Sequence, residues 1–422
     1  MKTKAVRLHG KDDLRLEEFE LPAIKENEIL AKVVSDSICM STYKAAHQAD
    51  THKRVPRNIA EKPTIVGHEF AGEIVEVGKK WQGQFKTGDK FSIQPALFYE
   101  GGPIGVLSAP GYSYQYIGGD ATYIVIPNEV MEKGCLLPYS GEAFYPASLS
   151  EPLSCVIGAM HACYHTTPGS YEHQMEIKDG GKLALLAGVG PMGLACINYV
   201  LHREDRKPSL FVVTDIDQTR LDRAASLYTA EFAKSRGIEL KYVNTGAVED
   251  PVATLREISG GDGYDEVVVM APVPAVVEQA DDILAFDGCL NFFSGPSKAP
   301  FKAPFNFYNV HYASTHVVGT SGGNTEDMKE ALMLMGKGMD PAGLVTHIGG
   351  LNAVIDTTLN LTSIPGGKKL IYTHIDMPLT AIADFGKVGK PVFDELDRIC
   401  KAHNGLWCVE AEKYLLANAD KL

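Results

Sequence analysis

Two different spacings of apolar residues divide this chain. Over residues 1–160, short runs alternate apolar with polar positions and predict strands at 29–34, 71–78 and 91–93, the last reached through a hairpin turn at Lys86-Thr87-Gly88-Asp89-Lys90. Residues 95–119 are rich in Gly, Pro and Tyr and predict a long ordered loop, after which 121–127 reads as a strand closed by Pro127. From about 180 to 310 the spacing changes. Near-continuous apolar runs at 183–187, 210–214, 240–243, 267–270 and 288–293 alternate with helix-like stretches at 220–233, 252–258 and 273–286. That alternation predicts a parallel sheet covered by helices on both faces. Beyond it, the spacing predicts a strand at 316–319, a helix at 328–339, a turn at 365–367 into a last strand, and two helical stretches in 391–422 split by Asn404-Gly405. Trp407 and Tyr414 in that tail read as packing residues.

The run 183–187 leads into Gly188-Val189-Gly190-Pro191-Met192-Gly193, then an apolar helix through Leu201, then a second strand ending at Asp215. This strand, turn, helix, strand and acid order is what gives a GxGxxG pattern its meaning. Gly188 makes the tight turn, Gly190 lets the backbone approach a pyrophosphate, and Gly193 lets the helix pack close to the sheet, with Pro191 and Met192 opening the helix whose N-terminus faces the phosphates. Asp215 lies 22 residues after Gly193, where a carboxylate accepts hydrogen bonds from the adenosine ribose and repels an added 2′-phosphate. NAD is therefore favoured, and Asp217 strengthens this, while Arg220 leaves NADP use open. The competing reading is a glycine-rich turn in an ordinary α/β domain.

Length and charge narrow the class. A chain of 422 residues is expected to split into two or three domains. A net charge of -13, from 40 basic and 53 acidic residues, gives no reason to expect a nucleic-acid partner. The start has no signal-peptide core, and no apolar run approaches the roughly 20 residues that span a bilayer, so the expected location is the cytoplasm without membrane attachment. Eight cysteines without a CxxC pair argue against a disulfide framework or a cysteine-rich structural zinc site.

Cys39, His68 and Glu151 are a thiol, an imidazole and a carboxylate, the donor types of a zinc site that keeps one position for substrate. Their separations are too large for spacing to establish contact, and the alternative is a buried cysteine, a hydrogen-bonded histidine and a helix-start glutamate. The segments Cys39-Met40-Ser41, Gly67-His68-Glu69, Gly118-Gly119-Asp120-Ala121-Thr122-Tyr123, Glu151-Pro152-Leu153 and Gly188 to Gly193 together resemble the zinc-dependent medium-chain alcohol and polyol dehydrogenases. The resemblance implies an α/β architecture: a GroES-like β-rich catalytic domain at 1–180 and 311–373, an inserted Rossmann domain at 181–310, and a helical extension at 374–422. It implies one catalytic zinc per chain held by Cys39, His68 and Glu151, with Glu69 beside the metal or as an alternate ligand, Ser41 exchanging the substrate proton, and assembly as a homo-oligomer.

Departures from the family pattern bear on mechanism. No cysteines lie between 94 and 115, where many members hold a structural zinc; Thr42 stands where aspartate is usual, and Lys44 replaces the frequent relay histidine, with His47 a weaker substitute. Within the family the arrangement looks most like the branch that interconverts L-sorbose 1-phosphate and D-glucitol 6-phosphate. Lys53, Arg54 and Arg57 are then candidates for a terminal phosphate of the ketose or polyol phosphate, or else a solvated loop. The alternatives are a dehydrogenase of an unphosphorylated polyol or secondary alcohol, and an inactive nucleotide-binding regulator on the same scaffold.

Overall fold

The computed structural model describes residues 1–422. They divide into two compact units, 1–151 with 340–422 and 152–339. No helix is long and apolar enough to cross a membrane.

The first unit is built on antiparallel pairing. Its central strand Ile29–Ile38 is buried along nearly its whole length and pairs with Phe70–Val77, Tyr123–Ile126 and Lys368–Tyr372. Lys90–Ile93 and Leu136–Tyr139 extend one side and Val345–Gly350 and Thr380–Ala381 the other, giving an eight-stranded sheet. Lys2–Gly10, Asp13–Glu20 and Thr64–Ile65 form a second, three-stranded sheet. The loop at 95–119 carries only the short 3₁₀ turn Gly105–Leu107, yet Tyr112, Tyr114 and Ile117 within it are buried, so it is ordered as expected.

The tail belongs to this unit's core rather than forming a separate extension. Phe393, Leu396, Trp407 and Leu415 share an apolar cluster with Ile348, Leu370 and Tyr372. Glu412 fixes the junction, accepting backbone N–H groups of Phe144 at 2.5 Å and Tyr145 at 2.9 Å and the Tyr372 hydroxyl at 2.8 Å. Trp407 Nε1–H donates to the same Tyr372 oxygen at 2.8 Å. Trp407 and Tyr414 thus pack, as the sequence predicts.

The second unit holds the expected parallel sheet. Its six strands run in the order Glu239–Asn244, Leu210–Asp215, Lys182–Leu186, Tyr264–Val269, Leu284–Phe292, His316–Val318, and every neighbouring pair is parallel. The last strand ties residues around 316 to this sheet, so the unit ends at Met339 and not near 310, and it begins at Pro152 and not near 180.

Three helix limits differ from expectation. The 220–233 stretch is two helices, Gln218–Leu227 and Ala230–Ser235, because Thr229 accepts the Phe232 N–H and starts a new turn. The helix predicted at 328–339 is Thr325–Gly336, fixed by a reciprocal Asn324/Asp327 capping box. The helix predicted over 273–286 stops at Asp282, and the strand begins at Leu284.

Candidate active site

Strand Ile29–Ile38 delivers Asp36 and Ser37, and the chain then turns at Cys39, whose sulfur caps the helix Met40–Gln48 by accepting the Ser41 N–H. Gly67, at φ +88°, allows the chain to pass His68 and Glu69 into strand Phe70–Val77; a side chain there would strike Asp36 and Asp120. The Glu69 N–H donates to Asp36 Oδ1 at 3.1 Å, locking the two segments together. As a result Cys39 Sγ, a His68 ring nitrogen and a Glu69 carboxylate oxygen lie within 4.8 Å of one another.

Lys368 adds a charge that the sequence reading did not anticipate. Its ammonium donates to both Glu69 oxygens, at 2.5 and 2.6 Å, with both residues buried. Burial opposes charge on each partner, and their attraction prevails, so Glu69 stays below and Lys368 above its ordinary pKa. Burial, followed by Glu69, pushes the Cys39 thiol up to about 12, whereas burial lowers His68 to about 4 and keeps it neutral. A neutral imidazole is ready to bind a metal, and a buried thiolate needs a cation beside it. Thiolate, imidazole and carboxylate match the donor types of a catalytic zinc.

Glu151, expected as the third ligand, does not join this mutual cluster. It is buried in the first turn of helix Ser150–Ala162, and its negative charge acts on Cys39, Tyr112 and Lys368. Ser41 lies at the cluster, its Oγ accepting from the Cys39 thiol at 3.6 Å. Thr42 bonds His68 Nδ1 at 3.2 Å and so orients the ring. His47 pairs instead with Asp12.

Tyr112 is the second residue that sequence reasoning missed. Its hydroxyl is 3.2 Å from His68 Nε2, with Ser41 nearby. The ring lies 4.7 Å from His68, parallel to His52 at 5.9 Å, and beneath the Arg54 guanidinium at 5.9 Å. Arg54 is half-buried and donates to the Leu107 carbonyl at 3.2 Å, while Lys53 and Arg57 are exposed. Of the three phosphate candidates, Arg54 is the one placed against Tyr112.

In the second unit the glycine turn packs strand closely against helix. A Cβ on Gly193 would lie 2.1 Å from the Gly188 carbonyl oxygen, so helix Pro191–His202 packs against the strand end only because that atom is missing. Gly190 is the N-cap, followed by Pro191 and Met192, and the nearest atom to a Cβ there is an Arg220 guanidinium nitrogen at 3.5 Å. Asp215 ends strand Leu210–Asp215, and its Oδ1 accepts the N–H groups of Ile216 and Asp217 at 2.9 and 3.1 Å.

Comparison with known proteins matches both units. Residues 25–135 fit the alcohol dehydrogenase GroES-like domain, and residues 211–337 fit the zinc-binding dehydrogenase family. The chain is 54% identical to a mannitol-1-phosphate 5-dehydrogenase of Aliivibrio fischeri, over 98% of this chain and 97% of that one. It is 49% identical to an L-sorbose 1-phosphate reductase of Klebsiella pneumoniae, over 100% of this chain and 98% of that one. Among solved structures, 2R,3R-butanediol dehydrogenase from Bacillus subtilis superposes with a TM-score of 0.69 at 23% identity, covering 88% of this chain and 99% of its own, and so shares the fold. With the metal-type cluster in one unit and the nucleotide turn in the other, this chain belongs to the zinc-dependent medium-chain alcohol and polyol dehydrogenases, which are NAD(P)-dependent enzymes.

Proposed function

We propose that this enzyme reversibly reduces the ketone of a ketose phosphate to the polyol phosphate, with L-sorbose 1-phosphate and D-glucitol 6-phosphate as the pair and NADH as the hydride donor. The observation that carries the reading is the largely buried Cys39, His68 and Glu69 cluster, with the Arg54 guanidinium over the Tyr112 ring that packs on His68. A single zinc there would polarise the substrate oxygen and stabilise the charge that develops on it, while the nicotinamide supplies the hydride.

Cys39 and His68 are two of the zinc ligands in this proposal. Proximity favours Glu69 as the third, but Lys368 holds both of its oxygens, placing a like charge beside any cation bound there. Glu151 is therefore assigned as the third ligand, and Glu69 holds Lys368 next to the site. Ser41 passes the proton to and from the substrate oxygen. Arg54 anchors the phosphate, with Lys53 and Arg57 adding positive charge at the surface. Gly188, Gly190, Pro191, Met192 and Gly193 receive the pyrophosphate, and Asp215 the ribose hydroxyls. Arg220, close to Gly190, gives NADP a foothold. The working enzyme is assigned as a homo-oligomer.

The test is the rate of NADH oxidation by zinc-loaded protein with L-sorbose 1-phosphate against free L-sorbose, with NADPH in parallel. A strong preference for the phosphorylated ketose that Arg54→Gln weakens supports the reading. Equal rates with and without phosphate would overturn it. A second reading, reduction of fructose 6-phosphate to mannitol 1-phosphate, is favoured by the 54% identity to a mannitol-1-phosphate 5-dehydrogenase. Including fructose 6-phosphate in the same assay separates the two.

A further inference from the structure

The loop at 95–119 has no regular structure beyond one short turn, yet one part of it is placed with unusual closeness. A Cβ on Gly111 would lie 2.0 Å from the Gly67 carbonyl oxygen and 3.0 Å from His68 Cβ. Gly111 also has φ +77°, so two independent constraints hold the position to glycine. Its N–H donates to the Ile117 carbonyl at 3.1 Å, and the Thr64 hydroxyl donates to the Tyr112 carbonyl at 2.9 Å. The backbone is thus bolted against the Gly67-His68-Glu69 segment, and the side chain it presents there is Tyr112.

Both ring nitrogens of His68 face a hydroxyl. In a neutral imidazole one nitrogen donates and the other accepts. Thr42 Oγ1 is 3.2 Å from Nδ1 and the Tyr112 hydroxyl is 3.2 Å from Nε2. If Nδ1–H donates to Thr42, the phenol O–H donates to the Nε2 lone pair, the same lone pair a metal would use. Ser41, the residue assigned to the substrate proton, lies near the same hydroxyl.

We propose that Tyr112 donates its phenol O–H to the reacting oxygen of the substrate, acting with Ser41 as a two-hydroxyl cradle for that oxygen. Were Nε2 to hold the metal, its lone pair would no longer accept from the phenol, whose O–H would be free to donate to the negative charge developing on the substrate oxygen. The ring does not move far to do this, since His52, His68 and Arg54 all pack on it. Such a donor is worth most where charge accumulates during hydride transfer, so it acts on turnover more than on ground-state binding. The inference rests on the proposed reduction of a ketose phosphate and adds a substrate-contacting residue to it.

The test compares wild type with Tyr112→Phe, which keeps the ring and removes only the hydroxyl. Zinc per chain and the thermal midpoint are expected to be unchanged. With L-sorbose 1-phosphate, kcat is expected to fall about a hundredfold, the scale seen on removing one donor from a developing oxyanion, with KM little altered. The cobalt-substituted protein gives a readout apart from turnover: the shift in its visible spectrum on adding D-glucitol 6-phosphate should differ between the two proteins. Wild-type kcat in the variant, or activity lost only in proportion to lost zinc, would overturn the proposal. If wild type turns over a free secondary alcohol and no sugar phosphate, the substrate reading fails alone, and the same Tyr112→Phe comparison on that alcohol decides the role of the hydroxyl.

Discussion

The two units build their sites in opposite ways. The nucleotide turn is local: Gly188 to Asp215 is one continuous strand, turn, helix and strand, and its key property is the absence of side chains where backbone meets backbone. The metal-type cluster is assembled from Asp36 to Thr42, Gly67 to Glu69, Gly111 to Tyr112 and Lys368, brought together by antiparallel pairing and buried charge. A local backbone site can be read from spacing. A side-chain site drawn from distant strands cannot, and it depends on electrostatic partners that have no motif.

The largest effect is expected for His68→Ala, which removes a proposed zinc ligand. Metal analysis should show loss of zinc, and turnover should drop on the order of a thousandfold, since Lewis-acid stabilisation is worth several kcal/mol. Next is Lys368→Met, which leaves Glu69 buried without its cation. A loss of about 3 to 5 kcal/mol is expected in denaturant unfolding. The double variant Lys368→Met with Glu69→Gln should recover part of it, and no recovery would show that the pair is not the source.

Gly193→Ala probes the other unit and needs no charge. Its methyl would press on the rigid Gly188 carbonyl, costing about 1 to 3 kcal/mol and weakening NADH binding measured by fluorescence. Gly190→Ala, with open space apart from Arg220, should leave stability nearly unchanged. Equal destabilisation by both alanines would argue against close packing as the reason for the third glycine.

The smallest effect is a pH dependence in the second unit. His161 lies between Asp327, 2.7 Å from Nδ1, and Glu330, 3.2 Å from Nε2, and these hydrogen bonds raise its pKa from 6.5 to about 9. The protonated ring stabilises the fold fully below pH 6.5, and that stabilisation fades as pH rises through about 9. The gap in thermal midpoint between wild type and His161→Gln should therefore be widest in mild acid and narrow towards pH 9. A gap that widens in that range would contradict the assignment.

Much of the fold was legible because the parallel strands at 183–187, 210–214 and 267–270 are apolar on both faces, a signature that periodicity detects directly. The shared core of the tail was not, since the helix Pro391–Ala402 reads the same whether its apolar face meets its own neighbour or the strand holding Tyr372. Cys39, His68 and Glu69 were found through resemblance rather than spacing, and the placement of Glu69 in the mutual cluster in place of Glu151 follows from Asp36 and Lys368, which no motif marks. Tyr112 was hidden in a loop recognisable only by composition. Gly111, with its positive φ and its contact on Gly67, is the one local signal that could have pointed there.

Strand Lys368–Tyr372 carries a further consequence. Side chains alternate along a strand, so Lys368 and Tyr372 face the same side, one bonded to Glu69 and the other to Glu412 and Trp407. A slip of one residue would put Lys369 where Lys368 stands, and the ammonium at Glu69 alone would not detect the error. At the far end the same slip would replace Tyr372 by Thr373, whose short hydroxyl falls away from both Glu412 and the Trp407 indole. The tail therefore proofreads the register of the strand that charges the active site, and correct alignment is checked at the end remote from the chemistry.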